Sequence, residues 1–62
     1  MKSLTRLKEH RTARGLTQTE LAILSGVSRD AIARLETTDR RAKPETARKL
    51  ARVLKVKPED LA

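Results

Sequence analysis

Residues 17–36 read TQTELAILSGVSRDAIARLE, and this stretch decides how the rest of the chain is understood. Thr17 and Glu20 stand in the order S/T-x-x-E, in which hydroxyl and carboxylate each satisfy the other residue's orphan backbone N–H at a helix start. The spacing predicts a helix opening at Gln18. It ends near Ser25, because Gly26 tolerates positive φ and Val27 supplies an apolar plug between two helices. Ser28 is suited to cap a third helix that runs to about Thr37. Only two or three residues separate the helices, so they cross steeply, as in a helix-turn-helix.

Working outward, the N-terminal segment predicts a first helix from about Ser3 or Thr5 to Arg14. Leu4, Leu7 and Arg11 share one of its faces, and Gly15 takes the place of a left-handed C-cap. On the other side, residues 38–43, TDRRAK, read as a polar loop. Pro44 opens a fourth helix, in which Ala47, Leu50, Ala51 and Leu54 turn inward. After Pro58, EDLA begins one last turn with Leu61 as its anchor. No alternating strand pattern is visible, and the expectation is one all-α domain of five helices over residues 1–62.

The chain has 62 residues, no cysteine and no aromatic residue. A core of this size is marginal, and neither disulfides nor thiolate zinc can supplement it. Without aromatic platforms, single-stranded nucleic acid is a poor partner. Fifteen Lys and Arg against eight Asp and Glu give +7, which suits duplex DNA, structured RNA or an acidic membrane face. No apolar run is long enough to span a membrane, and the start MKSLTRLKEHR lacks the apolar region of a secretory signal, so a cytoplasmic, nucleoid-associated protein is expected.

With these boundaries the sequence resembles the helix-turn-helix domain of the Cro and lambda-type phage repressors, the XRE-like regulators, without gaps from about Leu7 to Leu61. The pieces that carry the resemblance are RGLTQTELA, SGVSRDAIARLE and ARKLARVLKV. It implies a five-helix lambda-repressor-like fold that inserts its third helix into the major groove of a palindromic operator, as one half of a homodimer at least on DNA. It implies a transcriptional regulator, most often a repressor, with no cofactor. The chain departs from the family pattern where relatives carry Asn-Gly after the third helix and Gly after the fourth. Thr37, Thr38 and Lys55 stand there, and left-handed caps are not expected at them.

On the third helix Arg29 lies opposite Ile32 and Leu35, where its guanidinium can bind guanine O6 and N7 bidentately. Asp30 can accept from cytosine N4, although an acid in a first turn is equally explained by the helix dipole. Ala33 is small enough to meet a thymine methyl, and Arg34 can reach a second base or a phosphate. Thr17 and Gln18, at the start of the second helix, fall where the family contacts the sugar-phosphate backbone, and the resemblance implies that Gln18 can also brace a side chain of the third helix. Ser28 and Thr37 at the two ends of the third helix, and Arg40, Arg41 and Lys43 in the following loop, complete the candidate DNA-binding set. The cations of the fourth helix, Arg48, Lys49, Arg52 and Lys55, together with Lys57, read as a solvated face.

The resemblance also implies a partly buried ion pair between Arg11 and Glu36. His10 stands where the family carries an aliphatic residue and reads as half-buried, with no neighbour at metal-ligand spacing. No nucleophile and base constellation survives, so neither an enzyme nor a metal site is expected. Ile23 and Leu24 cannot both face the core, and Val53 with Val56 and Leu61 could form a dimer surface. Two alternatives remain open: an antitoxin-type module whose exposed apolar residues hold a protein partner, and a non-specific basic nucleic-acid binder.

Overall fold

The structure is a computed structural model and describes residues 2–37 and 41–61, without the side chains of Lys2, Ser3 and Arg41. Four α-helices appear: α1 (Leu7–Ala13), α2 (Gln18–Ser25), α3 (Arg29–Thr37) and α4 (Pro44–Leu54). In place of the expected fifth helix, Pro58–Leu61 forms a single 3-10 turn. Four residues suffice for one i→i+3 turn but not for a helix. The Asp60 carboxylate closes the turn by accepting from the Lys57 N–H at 3.1 Å.

Two further differences concern the N-terminal segment. A two-residue strand β1 (Lys2–Ser3) pairs antiparallel with β2 (Arg41–Ala42), Lys2 opposite Ala42 and Ser3 opposite Arg41. Strands this short carry no alternation for a sequence reading to detect. The first helix consequently starts at Leu7 rather than at Ser3 or Thr5. Leu4 drops into the core, the Leu7 N–H donates to its carbonyl at 3.1 Å, and the Arg6 N–H donates to the Leu61 carbonyl at 2.9 Å. Those bonds fix the chain in a turn before the helix begins.

Each helix end has a local cause. Gly15 has φ +68, and the Leu16 and Gly15 N–H groups donate to the Arg11 and Thr12 carbonyls, the paired bonds of a Schellman motif. Thr17 and Glu20 form the reciprocal capping box at 3.0 and 2.9 Å. Gly26 has φ +75, the Val27 N–H donates to Ser25 Oγ at 3.1 Å, and the Ala31 N–H donates to Ser28 Oγ at 3.2 Å. The fourth helix contradicts its expectation: Lys55 does adopt the left-handed conformation, with φ 56 and ψ 42. Its N–H and that of Val56 donate to the Arg52 and Ala51 carbonyls, so the same Schellman pair is closed without glycine. Thr38, the other expected departure, lies outside the described residues.

One core gathers buried residues from all four helices, from β2 and from the 3-10 turn. Leu4, Leu7, Leu21, Ile32, Leu50, Leu54 and Leu61 are all less than 2% exposed. Burial of a side chain of this size contributes about 1.5–3 kcal/mol each relative to exposure. Helix α2 packs against α3 and α4, α1 against α3, and the 3-10 turn against α4. Because Leu61 is fully buried, the dimer surface expected around it retains only the half-buried Val53 and Val56. Among the described residues no helix is long and apolar enough to cross a membrane.

Candidate nucleic-acid interface

Helix α3 turns Ile32 and Leu35 into the core, and its opposite side is left to solvent. Arg29, Asp30, Arg34 and Thr37 are exposed and Ala33 is half-buried. Arg29, Ala33 and Thr37 follow one another at four-residue intervals, as do Asp30 and Arg34, so they form two neighbouring rows on one face. The Thr37 hydroxyl donates to the Ala33 carbonyl at 2.7 Å, which leaves its oxygen as an acceptor. Ala31 is packed against the core beside α2.

An open cleft of about 530 Å³ separates the start of α3 from the start of α4, edged by Ser28, Asp30, Arg34, Lys43, Glu45 and Thr46. Its rim mixes two cations with two carboxylates. Lys43 is the N-cap of α4 and provides no side-chain cap, so the N–H groups of the first turn beyond Pro44 are uncapped by it. Arg41 lies beside this cleft in sequence, with its backbone in the β1–β2 pair, and its side chain lies outside what the structure describes. Arg40 lies outside the described residues altogether.

Beneath α3 the carboxylate of Glu36 gathers two other segments, α1 and α2. Its Oε2 accepts from Arg11 Nε at 2.6 Å, and its Oε1 accepts from Arg11 Nη2 at 3.1 Å and from Gln18 Nε2 at 2.9 Å. Arg11 Nη1 donates to the Leu16 carbonyl at 2.6 Å. The Glu36 side chain is 1% exposed and that of Arg11 10%. Burial pushes the Glu36 carboxyl up, but the hydrogen bonds from Arg11 and Gln18 and the charges of Arg11 and Lys8 outweigh it and hold it below the usual range. The hydrogen bond to Glu36 outweighs burial at Arg11 and raises its guanidinium above its ordinary value. Among the described residues no buried side-chain nitrogen or oxygen lacks a partner.

Gln18 is therefore committed inward through its amide nitrogen, at the very start of α2. The resemblance places it against phosphate and also has it brace a side chain of the third helix, and Glu36 is the side chain it braces. Thr17 beside it is exposed, with its hydroxyl held in the capping box. His10 Nε2 donates to the Asp60 carbonyl at 3.1 Å and so ties α1 to the C-terminal turn. Among the described residues no cluster of His, Asp and Glu could hold a metal ion.

The arrangement matches known proteins closely. A helix-turn-helix family model aligns with residues 7–61. An uncharacterized HTH-type transcriptional regulator of Bacillus subtilis (strain 168), RghRB, is 48% identical over 56 residues, which cover 89% of this chain. The chain spans 40% of the length of that relative. The crystal structure of the restriction-modification controller protein C.AhdI from Aeromonas hydrophila superposes with a TM-score of 0.85 at 40% identity, covering 94% of this chain and 88% of that one. The chain belongs to the helix-turn-helix family of the Cro and lambda-repressor type.

Proposed function

We propose that the protein is a sequence-specific transcriptional regulator that lays α3 in the major groove of duplex DNA. The observation that carries the reading is the exposed arc of α3, presented by a helix whose far end is bonded through Glu36 to both α1 and α2. A helix held from behind at three points can offer side chains to base edges without the entropic cost of ordering a mobile segment. Its relatives bear the names of a transcriptional regulator and a restriction-modification controller, which supports the same reading.

In this reading Arg29, Arg34, Ala33 and Asp30 meet base edges, and Thr17, Ser28, Thr37, Arg40, Arg41 and Lys43, with Gln18 through its backbone N–H at the start of α2, meet the sugar-phosphate backbone. The +7 charge supplies affinity that is independent of sequence. A homodimer on a palindromic operator would place its half-sites about 34–36 Å apart on one side of the duplex. Repression follows from occupancy, because a bound dimer excludes polymerase. The chain acts in the cytoplasm, without cofactor or catalytic step. A selection from random duplexes tests this: a two-fold symmetric consensus is expected, and enrichment of no sequence overturns it.

A second reading is favoured by Ile23 and Leu24, which are 76% and 61% exposed side by side on α2. They suit an antitoxin-type module with a protein partner. Replacing both by Ser would then abolish capture of such a partner and leave DNA binding intact.

A further inference from the structure

The segment that leads from α3 to α4 has little of its own to hold it in place. Residues 38–43, TDRRAK, carry three cations and one acid, with no glycine and no large apolar residue. Among its described residues only Ala42 joins the core. Yet Arg41 and Ala42 are extended and paired, and Lys43 continues extended into α4, with φ −63 and ψ 149. Their partner comes from the other end of the chain: Lys2 lies opposite Ala42 and Ser3 opposite Arg41.

Strand β1 stands on a firm footing. Leu4, directly after it, is 1% exposed, and its carbonyl accepts from the Leu7 N–H at 3.1 Å. Two residues on, the Arg6 N–H donates to the Leu61 carbonyl at 2.9 Å. The chain is thus tied to the core and to the C-terminal turn just where β1 ends. The pair that β1 makes stops one residue before Lys43, which edges the cleft together with Asp30 and Arg34 of α3. Fixing a residue's backbone costs conformational entropy, and a segment already fixed in the free protein does not lose it again on binding.

We propose that β1 is a positioning element for DNA binding: its pairing holds the Arg41–Lys43 segment extended beside the cleft before DNA arrives, so that the cations of this segment meet phosphate in a preset register. The inference rests on the groove reading of α3 and deepens it, because residues that touch no base then set the affinity of the interface. A two-stranded pair of this length adds little to stability by itself. Its effect therefore falls on binding more than on folding. The charge of Lys2 is the competing cause, and it is removable without disturbing the pair.

Two double variants, both lacking the Lys2 charge, make the test. Lys2→Pro/Ser3→Pro takes away the backbone donors of β1 and disfavours a ladder. Lys2→Thr/Ser3→Val keeps the donors and favours extended backbone. Affinity for a selected operator duplex and for a scrambled duplex is measured over a salt series, and the free proteins are melted in parallel. The proline variant is expected to lose about tenfold in affinity for both duplexes. Its slope of log K against log salt becomes shallower, its selected consensus is unchanged, and its melting temperature stays within a few degrees of wild type. The Thr/Val variant stays within about threefold of wild-type affinity. The proposal is overturned if the proline variant binds as wild type does, if the Thr/Val variant loses as much, if melting temperature collapses along with affinity, or if the operator alone is bound more weakly. Enrichment of no sequence by the wild-type protein would sink the groove reading, whereas the scrambled-duplex series would still decide the role of β1.

Discussion

Glu36 closes α3 by receiving two nitrogens of Arg11 on its two carboxylate oxygens, at 2.6 and 3.1 Å, from a residue 25 positions earlier in the chain. Both side chains are almost wholly buried, so removal of either strands the other. That costs about 3–5 kcal/mol, in a domain whose whole stability is of order 5 kcal/mol. Arg11→Ala and Glu36→Ala should each lie near or beyond the folding threshold at 25 °C. Circular dichroism in a urea series would show it. Exchange of the two charges in one double variant should recover part of the loss, and two single variants that unfold like the parent would overturn the account.

The same pair sets the acid limit of the fold. The Glu36 carboxyl is held below the 4.5 of a free glutamate, so the folded state binds its proton less readily than the unfolded chain. Its stabilisation is therefore present above about pH 4.5 and is lost as pH falls through the depressed native value. Glu20 is shifted in the same direction, chiefly by the backbone N–H of Thr17, and adds to that limb. Midpoints of unfolding should be level from neutrality to about pH 5 and drop below it. Glu36→Gln should start less stable and lose less on acidification. An unchanged acid slope in that variant would remove Glu36 from the explanation.

Much of this is legible in the sequence because the deciding residues act on near neighbours. A capping box, a glycine at positive φ and a serine at N-cap each constrain backbone within three or four residues, and they bound α2 and start α3 where the sequence reading sets them. What sequence cannot supply depends on partners far along the chain. The β1–β2 pair joins residues about 40 apart in segments too short to show a period. Gln18 is turned inward by a carboxylate 18 residues away, a brace that the family resemblance implies but that no local pattern around Gln18 shows. Lys55 departs from its expectation for a related reason: propensity disfavours φ 56, but the buried Leu54 and Leu61 on either side require the chain to reverse there.

Lys55 makes a quantitative prediction of its own. An L-residue in the left-handed region costs about 1–2 kcal/mol, from which glycine is exempt. Part of that gain is offset by the greater freedom of glycine in the unfolded chain. Lys55→Gly should therefore stabilise by about 0.5–1 kcal/mol and raise the melting temperature by several degrees, at roughly 4–8 °C per kcal/mol for a domain of this size. Gly26→Ala is the converse. Its Cβ would meet nothing within 4 Å, so any loss reports backbone strain alone and should be about 1 kcal/mol. A neutral result for both would mean that neither turn is strained.

On DNA, the exposed arc and the cleft should separate by the kind of loss they cause. Arg29→Ala and Arg34→Ala remove candidate bidentate bonds to guanine, each worth about 1–3 kcal/mol of discrimination. Selections with these variants should return a consensus relaxed at one position per half-site. Arg41→Ala and Lys43→Ala remove cations that pair with phosphate from the segment entering α4, so affinity should fall alike for operator and scrambled duplex. The slope of log K against log salt should become shallower by about one for each phosphate that a protomer no longer neutralises. Gln18→Ala would act by a different route. It deprives Glu36 of one donor without touching a base, so it should lower thermal stability more than it alters the consensus. A changed consensus with an unchanged melting temperature would instead make Gln18 a reader of sequence.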